Sequence, residues 1–251
     1  MRRALARTLP RALTLGIVLL LPGLALAQSV SIDMGTSEAG ATTRLVQLTA
    51  LIGLLSLAPS LLVMATAFAR ISIVLSLLRS AIGAGGVPPN PVLIGLALFL
   101  TFFVMQPVLE QSWQRGLQPM ANGQIEEIAG LQAAAEPFRT FMAANTRESD
   151  IALFLDLGNL PPVTDAAQTP WRALVPAFMV GELRRAFEIG FLIFLPFLII
   201  DIVVASVLMG LGMMMLPPNA ISLPFKLIFF VLVDGWRLVA GSLVQGFAGG
   251  G

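Results

Sequence analysis

Long stretches without a charged residue are the feature that most limits what this chain can fold into. Residues 45–69 carry no charge, and a second uncharged stretch runs from 80 to 109. Two further apolar stretches, 186–212 and 221–247, carry only isolated charges. An α-helix needs about 20 apolar residues to cross the hydrocarbon core of a bilayer. The pattern therefore predicts about four apolar helical spans.

The overall composition supports this interpretation. Hydrophobic residues make up 57% of the chain and charged residues only 12%, whereas a soluble domain ordinarily has about 25% charged residues. So little polar surface cannot cover a globule in water. We therefore expect an all-α membrane protein, most of whose surface faces lipid or other protein chains.

The residue types that are missing exclude several kinds of chemistry. The sequence contains no Cys, no His and no Tyr. Disulfides and thiolate metal sites cannot form, and Ser-His-Asp or Cys-His nucleophile systems cannot be built. We therefore expect no enzymatic activity, no catalytic residue, no cofactor and no metal.

Residues 1–27 have the pattern of a secretory signal peptide. Four arginines precede the apolar run 13–21, and small residues at Ala25 and Ala27 come directly before Gln28. We predict cleavage between Ala27 and Gln28; the alternative is an uncleaved first transmembrane helix. The mature chain would keep eleven basic and fourteen acidic residues, without the basic stripe that binding to nucleic acid requires.

Composition divides the mature chain into four regions. Residues 28–43 are small and polar and are predicted to form a flexible periplasmic N-terminus, and 44–109 to form a first helical hairpin. Residues 110–185 hold nine acids and six bases among recurring apolar residues, which predicts amphipathic helices on the periplasmic side. Residues 186–251 predict a second hairpin with a methionine-rich turn.

Prolines and charges refine this scheme. Pro59 lies in the middle of the first predicted span and should kink it. If the mature N-terminus is outside, Arg70 and Arg79 follow the first span on the cytoplasmic side with no acid nearby in the sequence, in accord with the positive-inside rule.

Met213, Met214 and Met215 form the most unusual local pattern, between Gly212 and Pro217. Methionine is unbranched and polarizable, so it adapts to irregular or changing surfaces. One interpretation is a deformable seal, in which several copies of the loop close a pore and yield to a passing chain. The alternative is a loop that packs into a core.

Four charged residues in or just before the second hairpin are candidates for subunit contacts or buried charge pairs: Glu182, Asp201, Asp234 and Arg237. Acids inside apolar segments are costly in lipid and usually face a partner or water. Asp201 and Asp234 could be a proton relay in a secondary transporter or a protease pair, although the Gly-x-Gly-Asp signature of such proteases is missing. Asp234 could instead pair with Arg237 one turn later, and Glu182 is either a water-facing helix start or part of a bridge between subunits.

Several strings together resemble the FliP family, over about residues 44–247. The strings are FARISIVL at 68–75, PPN at 88–90, IGLALFLTFF at 94–103, IID at 199–201, VVASVLM at 203–209, GMMM at 212–215, PP at 217–218, LPFKL at 223–227 and VDGW at 233–236. Strings of this length make a chance resemblance improbable.

The resemblance implies a component of the flagellar type III protein export gate in the bacterial inner membrane, at the flagellar basal body. In that family, several FliP copies form a ring with FliQ and FliR, next to FlhA and FlhB, through which unfolded export substrates pass. The implied ring stands largely above the bilayer plane, so apolar helices can face other subunits instead of lipid. The alternative function is a small secondary transporter or channel subunit with an intramembrane Asp relay.

The resemblance also implies roles for particular residues. Met213, Met214 and Met215 would form the gasket of the pore. Glu182 would pair between subunits, although Gly181 replaces the family's Ser before it. Aromatic residues of the periplasmic region would line the channel, with Phe154 and Phe141 as the candidates.

Overall fold

A computed structural model of the chain describes residues 46, 48–49, 52–53, 56, 60, 63–163, 165–213 and 215–248. The chain divides into two compact units, 1–55 and 56–251. The described residues of the first unit are helical. The predicted signal peptide, its cleavage site between Ala27 and Gln28, and the predicted N-terminus 28–43 lie outside the described residues.

The described residues of the second unit form helices joined by short loops, with no β-strand among them. The predicted all-α class is therefore confirmed. The helices are α1 (Phe68–Ile82), α2 (Asn90–Ser112), α3 (Gln118–Ala121), α4 (Glu127–Ala144), α5 (Glu148–Leu157), α6 (Trp171–Gly210), α7 (Pro218–Leu232) and α8 (Gly235–Ala248). A π-helical turn (Trp113–Leu117) joins α2 to α3, and a 3-10 turn (Ala166–Gln168) precedes α6.

The main core joins α1 to α2, α6, α7 and α8. Buried residues on α6 recur every four positions, which places them on one face of the helix: Leu174, Phe178, Glu182, Ala186 and Gly190. The buried face of α1 packs on this stripe, and its members are Arg70, Ile71, Val74, Leu75, Leu78, Ala81 and Ile82. A Cβ at Gly190 would overlap the side chain of Leu77, so this glycine allows the two helices to approach closely.

A second core joins α4, α5 and the beginning of α6. Its buried side chains include Met142 on α4, Ile151 and Leu155 on α5, and Leu174 and Phe178 on α6. The amphipathic helices expected between 110 and 185 are thus present as α4 and α5, and each buries its apolar face against α6.

The π-helical turn brings α2 against α4. Ser112 Oγ donates a hydrogen bond of 2.8 Å to the carbonyl of Ala134. A Cβ at Gly116 would overlap the main chain at Gly130 and Ala134, so glycine is required for this close contact.

Prolines occur inside four of the long helices without ending them. Proline lacks an N–H and removes one helical hydrogen bond, but membrane helices tolerate it where neighbouring groups satisfy the freed carbonyl. The positions are Pro107 in α2, Pro137 in α4, Pro176 and Pro196 in α6, and Pro224 in α7.

The chain bends by 61° between α7 and α8. Asp234 lies in the break with a φ of 51°, and a Cβ at Gly235 would overlap the ring of Phe230. That ring packs edge-on against Trp236, with 5.3 Å between the ring centroids. An aromatic side chain therefore fills the inside of the corner.

Two described helical segments, Asn90–Ala121 and Trp171–Gly210, are long and apolar enough to cross a membrane, and α7 with α8 is a third if the bent pair counts as one span. Of the first of the four predicted spans, 45–69, the structure describes residues 46, 48–49, 52–53, 56, 60 and 63–69. The predicted region boundaries at 109/110 and 185/186 both fall inside continuous helices. At these points the composition changes along a helix, with no break in it.

Candidate functional site

The tip of the α6–α7 hairpin is set by a regular helix ending. Gly212 has a φ of 74°, its N–H bonds to the carbonyl of Met209 at 3.1 Å, and the N–H of Met213 bonds to that of Leu208 at 2.9 Å. These two bonds with a left-handed glycine form a Schellman motif, which ends α6. Pro218 then opens α7 in its first turn, where the missing N–H costs no hydrogen bond.

Met213 and Met215 of this tip point away from the chain's own core. Met213 is 48% exposed and Met215 is 98% exposed, while Met214 lies outside the described residues. Soluble proteins rarely leave consecutive large apolar side chains in water. The exposed methionines are thus available to a partner or to a membrane.

The hairpin below the tip is apolar on its outer faces as well. Between α6 and α7 lies a groove of about 460 Å³, lined by aliphatic and aromatic side chains that include Ile199, Val203, Val207, Ile221 and Phe225. Several of these are more than half exposed. This part of the chain contributes little to the intramolecular core.

Glu182 lies in the main core and pairs with Arg70 of α1. Arg70 Nε donates to Glu182 Oε2 at 2.9 Å, and Arg70 Nη2 donates to Glu182 Oε1. The side chains are 1% and 0% exposed. Two charges removed from water in this way need all their hydrogen-bonding positions satisfied, so the partner of Glu182 in this structure belongs to the same chain.

The remaining contacts of Arg70 tie down the end of α8. Its Nη1 donates to the carbonyl of Gly246 at 3.3 Å, and its Cζ lies 3.7 Å from the ring centroid of Phe247. A cation is favourable at a helix C-terminus, where carbonyls lack helical partners. One guanidinium therefore joins α1, α6 and α8.

Asp201 pairs with a cation of α7 nearer the tip. Lys226 Nζ donates to Asp201 Oδ2 at 2.6 Å and to the carbonyl of Ala81 in the last turn of α1 at 3.1 Å. Ser222 Oγ donates to Asp201 Oδ1 at 2.6 Å. The side chains of Lys226 and Asp201 are 7% and 25% exposed, so this cluster is nearly buried and joins α1, α6 and α7.

Asp234 and Arg237 form a loose pair on the surface. Arg237 Nη1 lies 3.9 Å from Asp234 Oδ2, and their side chains are 86% and 65% exposed respectively. Asp201 is neutralised by Lys226. The two acids therefore differ in their surroundings, since Asp201 is paired in a nearly buried cluster and Asp234 is largely exposed.

Phe141 and Phe154 are both half-buried and lie in the second core. The ring of Phe141 lies between Phe178 and Phe247, at 5.9 Å from each ring centroid. Phe154 is on α5, packed against the same cluster. Each keeps part of its ring accessible from outside the chain.

Sequence reasoning missed the cations that complete the buried pairs. The sequence places no acid near Arg70, but α1 continues past it to Ile82 and packs it against Glu182, 112 residues away. Lys226 was not assigned a partner, and neither was the pair in which Arg184 donates two bonds to Asp150, at 2.8 and 3.1 Å. The sequence did contain a signal for such pairs, because ionisable residues inside apolar helices usually pair with one another.

The described residues contain no group of three or more carboxylates that could hold a metal ion. Their outstanding features are two charge clusters along α6 and an apolar hairpin that ends in exposed methionines. These features define an all-helical membrane protein that presents a large apolar surface beyond its own core.

Comparison with known proteins gives the family. Residues 51–243 match the model of the FliP family. The flagellar biosynthetic protein FliP of Caulobacter vibrioides is 58% identical over 92% of this chain and 87% of its own length. Those of Bacillus subtilis (49% identical, 80% of this chain and 91% of the relative) and Aquifex aeolicus (42%, 94% and 99%) are also similar. The chain belongs to the FliP family.

Proposed function

We propose that this chain is a component of the flagellar type III protein export gate, where copies of it assemble with FliQ and FliR into a ring around a pore for unfolded export substrates. FlhA and FlhB would be neighbouring partners in the inner membrane at the flagellar basal body. The protein breaks no bond in this role. Support comes from membership of a family whose relatives are named flagellar biosynthetic proteins.

The observation that carries the proposal is the exposed methionine tip on an apolar hairpin. Met213 and Met215 are exposed in a single chain, although burying a methionine side chain is worth about 1.5–3 kcal/mol. A ring of such tips would recover that free energy by packing the thioethers of neighbouring copies together. Methionine would let this seal deform around a passing chain and close again.

Three further residues fit the same proposal. Phe154 and Phe141 keep part of their rings accessible, and we propose that they face the channel in the assembled ring. Glu182 is already bonded to Arg70, so a pair between subunits would require a second cation to join this buried cluster or to replace Arg70.

The experiment replaces Met213, Met214 and Met215 together with Gly in the assembled gate. Removing three thioether side chains per copy should open the seal, so we expect the complex to leak small solutes when reconstituted in vesicles loaded with a fluorescent dye. The matched control replaces the same residues with Leu, which keeps the apolar bulk but is branched and stiffer. We expect the Leu variant to remain tight while exporting substrate more slowly. A Gly variant as tight as the unchanged gate would contradict the proposal.

A further inference from the structure

The cluster of Lys226, Asp201 and Ser222 is more elaborate than helix packing requires. The ammonium of Lys226 contacts a carboxylate of α6 and a main-chain carbonyl of α1, at 2.6 and 3.1 Å. Ala81 O is among the last four carbonyls of its helix, which have no partner within the helix. Lys226 therefore satisfies the end of α1 while Asp201 neutralises it, and Ser222 fixes the second carboxylate oxygen.

This cluster divides the hairpin into a part that is bonded to α1 and a part, nearer the tip, that makes few contacts with the rest of the chain. Asp201 lies about 14 Å of helix before the end of α6, and Lys226 about 12 Å after the start of α7, at 1.5 Å per residue. Between 202 and 225, Leu208 and Ser222 are the only described residues that are buried. Beyond the cluster, the hairpin has almost no contact that fixes its direction.

The apolar surfaces of the hairpin cannot by themselves select one register. Apolar residues on α6 and α7, such as Val203, Val207 and Phe225, contribute nearly the same burial if one helix slides or rotates slightly, because the hydrophobic effect is non-directional. An ion pair with a hydroxyl and a carbonyl has one good geometry, and specifying register is the best supported use of buried polar groups.

We infer that Lys226, Asp201 and Ser222 form a positioning clamp that fixes the height and direction of the methionine tip relative to α1. This inference rests on the proposed function, since it names the residues that would align the seal. Lys226 and Asp201 are positioning residues: they contact no substrate and act through the tip.

The test measures the position of the tip directly. The chain has no cysteine, so S76C on the exposed face of α1 and M215C on the tip provide two unique spin-label sites. Labelled chain is diluted with an excess of unlabelled chain in the full gate, and the distance distribution between the labels is measured by pulsed electron resonance. In the unchanged chain we expect one narrow peak.

K226M keeps the length of the side chain and removes the ammonium. We expect the narrow peak to be lost and replaced by a broad distribution, and K226R, which keeps a cation able to donate to both oxygens, to restore most of the narrow peak. R115M removes an exposed cation from the π-helical turn and should leave the peak unchanged. A narrow, unshifted peak in K226M would overturn the inference.

D201N keeps the shape of Asp201 and provides a second variant if K226M fails to accumulate. It should broaden the peak less, because an amide oxygen still accepts from Lys226, and an unchanged distribution in D201N would equally overturn the inference.

The dye-leak assay separates the two proposals. If the Gly variant of the tip stays tight while K226M broadens the peak, the seal is wrong and the clamp stands. If the Gly variant leaks dye while K226M keeps a narrow distance distribution and does not leak, the clamp is wrong and the seal stands.

Discussion

The two halves of α6 differ in charge and in their surroundings, since 171–190 carries five charged residues and 191–210 carries one. From Trp171 to Gly190, every third or fourth residue is buried against α1, α4 or α5. From 191 to 210, only Phe197 and Leu208 are buried, and most of the large apolar side chains are exposed. Glu182 in the first half is paired with Arg70 and Asp201 in the second with Lys226, while Glu188 in the first half forms a looser pair with Arg147.

The two halves differ in how much of their apolar surface the chain itself covers. In the first half the chain covers its own apolar stripe, and small residues such as Ala186 and Gly190 let α1 approach. The second half has no such cover within the described residues, so its surface is free for lipid or for other subunits. Three ion pairs differ in the exposure of their side chains. Arg70–Glu182 is buried, Lys226–Asp201 is nearly buried, and Arg237–Asp234, at the bend between α7 and α8, is exposed.

The largest effect is expected at the fully buried pair. R70M leaves the Glu182 carboxylate buried without a partner and also removes the bond to Gly246. We expect a loss of about 3–5 kcal/mol in the free energy of unfolding, the usual cost of breaking a buried pair. Equilibrium unfolding in mixed detergent micelles measures it.

A double variant distinguishes an uncompensated charge from lost packing. R70M/E182Q removes both charges, and such replacements are often close to neutral, so the double variant should recover a substantial part of the loss. If it is as unstable as R70M alone, the destabilisation comes from packing around Phe247 and the electrostatic account of this core is wrong.

A smaller effect is expected at the clamp. K226M leaves Asp201 partly accessible to water and still bonded to Ser222, so the loss in the free energy of unfolding should be about 1–3 kcal/mol, typical of an unsatisfied but partly solvated group. The same unfolding measurement applies. A loss equal to that of R70M would show that the two halves of α6 are equally coupled to the core.

The smallest effect is expected at the bend between α7 and α8. R237M removes a cation whose nearest carboxylate oxygen is 3.9 Å away on the surface, and exposed pairs of this kind contribute little. The free energy of unfolding should change by no more than about 0.5 kcal/mol. The midpoint of thermal unfolding in detergent should therefore stay within error of that of the unchanged chain. A clear loss would mean that this pair is buried by a neighbouring subunit in the preparation.

Much of the fold could be predicted from local patterns. The apolar stretches indicated α2, α6 and α7, and residues 83–90 and 217–219, which are rich in Gly, Pro and Asn, lie at or next to helix ends. Helix limits were harder to predict, because Pro107 and Pro196 lie inside helices that packing and neighbouring contacts maintain. A change in charge density at 185/186 suggested a boundary where one helix of 40 residues continues.

The candidate site was predictable in its residues but not in its pairings. Glu182, Asp201 and the methionines stand out because charges in apolar helices and consecutive thioethers are unusual. Lys226 lies only 25 residues after Asp201, across the hairpin, but Arg70 and Glu182 are 112 residues apart and Lys226 and Ala81 are 145 apart. No local rule connects positions at that separation.

The sequence by itself determined that this chain is helical, apolar and built for a membrane or for other subunits, since these properties follow from hydropathy and from the short-range periodicity of side chains. Only the tertiary structure decided which apolar face is covered by the chain itself and which stays open. That decision depends on where α1 meets α6, and it is made by steric fit at glycine and alanine and by the single favourable geometry of each buried ion pair.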